Sequence, residues 1–160
     1  MCGPAGSGKS THASALEQQG FTRLSLDEEA WRHGYRSEPL PERIARALED
    51  DLRVRLVQLL SEDRDVVVDL SFWSRTMRNE YRDLVRSCGA EAQVVYVDTP
   101  RDVVMQRLRS RRGTSPNEVR LTEQQAAAYF DGFEVPTADE GPLLVVPYER
   151  GRARPRRTQR

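Results

Sequence analysis

Lysine is almost missing from this chain. Of its 25 basic residues one is a lysine, Lys9, and the rest are arginines. Cysteine is scarce: Cys2 and Cys88 are too few and too far apart for a disulfide framework or a zinc site, and His12 and His33 add no ligand cluster. A reducing, cytoplasmic compartment is the expectation. No long apolar run occurs, and a hydrophobic fraction of 38% against 31% charged excludes a transmembrane protein. Met1 is followed directly by Cys-Gly-Pro, without the charged and apolar segments of a signal peptide. Net charge is absent too, with 25 basic against 25 acidic residues.

What is present is 160 residues, enough for one domain, with apolar runs too regular for a disordered chain. The zero charge is uneven. Residues 149–160 carry Arg150, Arg152, Arg154, Arg156, Arg157 and Arg160 against the single acid Glu149. This predicts a domain over residues 1–148 and a solvated basic tail over 149–160, a nucleic-acid-binding arm being the alternative reading of the tail.

Strand-like and helix-like periods alternate along the domain, the pattern of an α/β fold with a mostly parallel sheet. Helices are expected over residues 9–19, 40–62, 75–87, from Thr99-Pro100 to about Arg112, and over 122–130. Strands are expected at 21–26, 66–68, 93–97 and 143–146. In the long second helix Ile44, Leu48, Leu52, Leu56, Leu59 and Leu60 recur at helical spacing. A first strand is missing from this series, because only Met1 and Cys2 precede Gly3 and two residues cannot form a strand of about five. The expectation is a central strand that begins upstream, and poor stability without it.

Gly3-Pro4-Ala5-Gly6-Ser7-Gly8-Lys9-Ser10 satisfies G-x-x-x-x-G-K-[ST] at every fixed position and runs through Thr11 into a helical segment. Gly3, Gly6 and Gly8 let the backbone curl so that N–H groups, Ser7's included, point into one concavity. The helix adds its positive end, Lys9 a compact ammonium for phosphate, and Ser10 a hydroxyl suited to Mg²⁺. The loop is a phosphate-binding loop.

Phosphoryl transfer also needs a metal-side carboxylate, a group to activate the acceptor and cations for the charge that develops. Asp69, ending the Val66–Val68 run, is either the metal-side carboxylate or a cap for the helix near Arg75. Asp27, at the same sheet edge, either takes a proton from an acceptor hydroxyl or caps a short helix over Glu28–Arg32. Glu28 and Glu29 read as a solvated first turn. Arg75 and Arg78 share a helix face and suit an anionic substrate, while Arg107, Arg111 and Arg112 gather at a helix end. Trp31, Tyr35, Phe72 and Trp73 are either core or an acceptor pocket.

Together these residues resemble the small P-loop kinases of the AAA_33 type, related to the kinase domain of polynucleotide kinase, chloramphenicol phosphotransferase and zeta toxin. The likeness spans about residues 2–147 and rests on the loop, Leu24-Ser25-Leu26-Asp27-Glu28, Val66–Asp69 with Phe72–Arg75 and Arg78, and Val95–Pro100 leading to Arg107–Arg112. It implies a doubly wound P-loop NTPase sheet, ATP and Mg²⁺ as cofactors, and Lys9, Asp27 and Arg111 as catalytic residues with Asp27 the general base. Arg75 and Arg78 would contact the acceptor, Arg107 to Arg112 would form a lid over ATP, and Pro147-Tyr148-Glu149 would approach the adenine. The expected activity is transfer of the γ-phosphoryl group to a hydroxyl of a small molecule or a nucleic-acid 5′ end. The alternative is a regulatory NTPase that hydrolyses ATP or GTP without an acceptor.

Overall fold

Short strands, the first three each followed by a helix able to cover one face, set the architecture. The computed structural model describes residues 1–36 and 39–149. Four strands run through them: β1 (Thr22–Ser25), β2 (Val66–Asp69), β3 (Val94–Asp98) and β4 (Leu143–Pro147). The helices are α1 (Lys9–Gln18), α2 (Leu26–Arg32), α3 (Glu42–Ser61), α4 (Arg75–Ser87), α5 (Arg101–Arg109) and α6 (Glu123–Asp131), with a 3-10 turn at Ala138–Glu140. None is long and apolar enough to cross a membrane among the described residues.

β1 pairs in parallel with β2, Ser25 opposite Asp69, and β3 pairs in parallel with β4, Tyr96 opposite Val145. Residues 1–3 lie between the two pairs. The Cys2 N–H donates to the Val95 carbonyl (2.8 Å), the Val97 N–H to the Cys2 carbonyl (2.9 Å), and on the other side the Gly3 N–H to the Ser71 carbonyl (3.1 Å). The central position is thus filled by one parallel bridge, Cys2 to Tyr96, rather than by a full strand.

The pleat sends alternate side chains to opposite faces. Val67, Val95 and Val97 pack with Ala13 and Leu16 of α1, whereas Val66, Val68, Val94 and Tyr96 pack with Leu52, Leu56 and Leu59 of α3 and with Tyr81 and Val85 of α4. Helices therefore cover both faces, and the doubly wound α/β expectation holds. The α3 stripe is buried at Leu48, Leu52, Leu56 and Leu59. A third cluster joins Val104, Met105 and Leu108 of α5 to Ala126 of α6 and to Ala5 of the loop.

Local hydrogen bonds correct several expectations. Ser25 caps α2 by accepting the Glu28 N–H (3.4 Å), and Ser74 caps α4 by accepting the Met77 N–H (3.2 Å), so neither Asp27 nor Asp69 is a cap. Thr99, which with Pro100 reads in the sequence as a cap and first-turn pair for α5, instead donates to the Ser7 carbonyl (2.8 Å). α5 stops at Arg109, where Ser110 Oγ turns back to the Arg107 carbonyl (2.8 Å) and competes with continued helix. Arg111 and Arg112 consequently stand in the following loop and not on the helix. Of the basic tail, residues 150–160 lie outside the described residues.

Candidate active site

The loop between the central bridge and α1 curls because its glycines occupy positive φ: Gly6 at 84° and Gly8 at 106°. At Gly6 a Cβ would also sit 3.1 Å from Leu108 Cγ, so α5 can approach the loop only with glycine there. Gly8 is the N-cap of α1 and supplies no side-chain cap, which leaves the positive end of the helix facing an open cleft of about 1910 Å³. Residues Pro4 to Thr11 line that cleft. Gly3 does not: it is buried, its N–H is spent on the sheet, and its place is in the turn rather than in contact with a ligand.

Lys9 is half-buried and folds back over the loop, its Nζ donating to the Pro4 carbonyl (3.0 Å). Burial lowers its pKa, and the carboxylates of Asp69 and Asp27 oppose that shift. Asp27, in the first turn of α2, lines the same cleft. Burial pushes its pKa up against the pull of Lys9, with Asp69 raising it further and Arg111 and Arg23 lowering it. Lys9, Asp27, Asp69 and Arg111 thus form one electrostatic group. A perturbed carboxylate such as Asp27 beside a cation in a cleft is the pattern of a working site.

Arg111 lines the cleft from the loop after α5, its Nη1 donating to the Val119 carbonyl (3.0 Å), and burial lowers its pKa. Arg107 lies against the loop itself, donating to the Gly6 (3.1 Å) and Ser7 (3.0 Å) carbonyls, with its guanidinium 5.5 Å from the Tyr148 ring centre. Pro147, Tyr148 and Glu149 line the same cleft. Arg112 is exposed and does not line it, since the helix that was to carry it has ended.

Arg75 and Arg78 depart from expectation. Arg75 faces outward to Asp139 (2.6 Å). Arg78 is 2% exposed and bound on every side: bidentate to Glu140 (2.7 and 2.8 Å) and donating to the Phe72 (2.9 Å) and Glu134 (2.8 Å) carbonyls. Neither lines the cleft, and with its donors satisfied by protein Arg78 holds α4 to the 3-10 turn rather than an anion. Trp31, Tyr35 and Trp73 do line the cleft, while Phe72 is core, edge-on to Tyr81 at 4.9 Å.

The sequence reading missed Arg23. Its side chain, 3% exposed, reaches from β1 to Asp69 Oδ2 (2.6 Å from Nη2, 3.2 Å from Nε), Glu28 (2.7 Å), Ser14 (3.1 Å) and Asn117 (3.4 Å). Glu28 is therefore paired rather than a free surface acid. A lone charge inside β1, two residues before Ser25 and four before Asp27, was the available signal.

For Mg²⁺ the available donors are the Ser10 hydroxyl and the Asp69 carboxylate, both hard oxygens lining the cleft. Among the described residues no three His, Cys, Asp or Glu side chains gather to hold a metal unaided. One or two protein oxygens completed by phosphate and water is the usual arrangement for magnesium, and these residues fit it.

The profile of the AAA_33 family, described as an AAA domain, matches residues 1–136. No protein of curated function matches. Among solved structures the chain is similar to a protein of Chloroflexus aurantiacus j-10-fl provisionally assigned as a kinase (18% identity, TM-score 0.74, covering 91% of this chain and 84% of that one). It is also similar to a gluconokinase from Sinorhizobium meliloti 1021 (19%, 0.61, 91% and 79%) and to Chaetomium thermophilum Kti12 solved with ADP-AlF3 (17%, 0.64, 92% and 87%).

Proposed function

The chain belongs to the AAA_33 family of AAA domains, and from that membership we propose that it is an ATP- and Mg²⁺-dependent kinase acting on an alcohol. The observation that carries this reading is the convergence of Lys9, Asp27, Asp69 and Arg111 on one cleft beneath the uncapped end of α1. A slow switch needs the loop and a metal carboxylate. It has no use for a second, protonatable carboxylate poised against them.

In this reading the backbone N–H groups of the loop and the end of α1 hold the phosphates, and Lys9 leaves the Pro4 carbonyl to bridge the transferred group. Ser10 and Asp69 would hold Mg²⁺, which neutralises charge on the phosphate oxygens when bound. Asp27 orients the acceptor hydroxyl and takes its proton as the oxygen bonds to the γ-phosphorus and the bond to the bridging oxygen of ADP breaks. A raised pKa suits it to that task, since a base works best when its pKa approaches the working pH. Arg111 and Arg107 stabilise the charge spread over the transferred group. Tyr148, which lines the cleft beside Arg107, would approach the adenine.

The test is γ-labelled ATP with a panel of alcohols. The reading expects label in an acceptor product, and acceptor-independent release of all label as inorganic phosphate contradicts it.

A further inference from the structure

The chemical class of the acceptor can be narrowed from the walls of the cleft, an inference that rests on the kinase reading above. Apart from the loop and its carboxylates, the lining includes Trp31, Tyr35, Leu40, Trp73, Met77 and Phe133, none of them charged. The cationic side chains lining it, among the described residues, are Lys9, Arg107 and Arg111, with His12 on α1 beside the loop. The first two lie on carbonyls of the phosphate loop, and Arg111 acts on Asp27. The two arginines on α4 that would have met an anion are paired elsewhere, Arg75 with Asp139 and Arg78 with Glu140. The acids lining the cleft, among the described residues, are Asp27, Glu49, Asp69, Glu118 and Glu149. A carboxylate or phosphate on the acceptor would be repelled by Asp27, and Arg111, the cation coupled to Asp27 from outside the phosphate loop, is engaged in the reading above with the transferred group.

The backbone supplies a second, independent observation. Phe72 adopts φ 47°, a left-handed conformation that a bulky residue takes only when its surroundings hold it there. Arg78 holds it by donating to the Phe72 carbonyl (2.9 Å), and the Glu134 N–H holds the next carbonyl, that of Trp73 (2.9 Å). The result puts Phe72 in the core and leaves Trp73 54% exposed on the cleft, where Tyr129, 52% exposed, also stands. Core packing accounts for neither ring. Aromatic faces presented to a cleft at the cost of a strained turn are suited to a flat apolar ligand.

We infer that the acceptor is an uncharged, largely apolar alcohol, its hydroxyl at Asp27 and its body against Trp73, and not a sugar acid, a phosphorylated compound or a polynucleotide end. The test uses γ-labelled ATP with Mg²⁺ and two related probes, phenyl ethanediol and mandelate, which share a ring and a benzylic hydroxyl. The diol carries a hydroxymethyl group where mandelate has its carboxylate, and transfer to the diol is scored at the benzylic oxygen. Gluconate and a 5′-hydroxyl oligonucleotide complete the panel. The expected result is transfer to phenyl ethanediol with kcat/KM at least about tenfold above each anionic probe. Trp73→Ala should then raise KM for that diol about tenfold, read against KM for ATP in the same assay. Equal or better transfer to mandelate, gluconate or the oligonucleotide overturns the inference and leaves the kinase reading standing. Loss of γ-phosphate to water alone, whichever probe is added, overturns both.

Discussion

Arg23 and Arg78 are buried arginines, each clamped on a buried carboxylate, in two regions of the molecule less alike than that description suggests. The Arg78–Glu140 pair is closed: side chains 1% exposed, every contact made to protein, outside the cleft. The Arg23–Asp69 pair is equally buried, but Asp69 lines the cleft and its charge is felt by both Lys9 and Asp27. Burial and pairing are thus common to structure and site. What separates them is whether the pair faces an open volume beside groups whose protonation it alters.

The largest effects should come from breaking one member of each pair. Arg23→Met leaves Asp69 buried without its cation and should cost about 3–5 kcal/mol of stability. It should also move the acid limb of kcat/KM upward, because Arg23 holds the Asp27 pKa down. Glu140→Gln should cost a similar amount and leave that limb where it was. Thermal melts and pH–rate profiles on both variants separate the two, and a shifted limb in Glu140→Gln would erase the distinction. Arg78 holds Glu140 at a pKa of about 2, below its ordinary 4.5. Its contribution is therefore complete above pH 4.5 and lost as pH falls through about 2. Glu140→Gln should flatten stability against pH in that window.

Next in size, Lys9→Ala should lower kcat/KM by about a hundredfold or more while the melting temperature changes little, since its one hydrogen bond is to the loop it serves. The smallest effect belongs to Arg75→Ala. Its pair with Asp139 is at the surface, so stability and kcat/KM should both match the parent. A loss of activity there would return Arg75 to the acceptor site.

The loop was fully legible in the sequence because its constraints are local: glycines where φ is positive, and one lysine before a helix. The strands and helices were legible within a few residues for the same reason. The α5 end was not, since the first helix-breaking residue in the sequence is Gly113, whereas the helix ends at Arg109 with Ser110 Oγ bonded to the Arg107 carbonyl. The arginines were least legible. Arg75, Arg78 and Arg112 share the composition of Arg107 and Arg111, and partners such as Glu140, distant by 62 positions from Arg78, decide which of them meet the cleft. Arg23 was missed because its partner Asp69 reaches it only through the parallel pairing of β1 with β2.

The central claim is the proposal that Asp27 and Lys9, which line one cleft and are electrostatically coupled, serve phosphoryl transfer, one for the acceptor and one for ATP. Asp27→Asn tests it most directly, with label transfer and ATP affinity measured on the same preparation. The account predicts loss of transfer with ATP affinity within a few fold of the parent, whose own kcat/KM should rise with pH through an Asp27 pKa above the ordinary 3.8. Transfer by Asp27→Asn at the parental rate would contradict it.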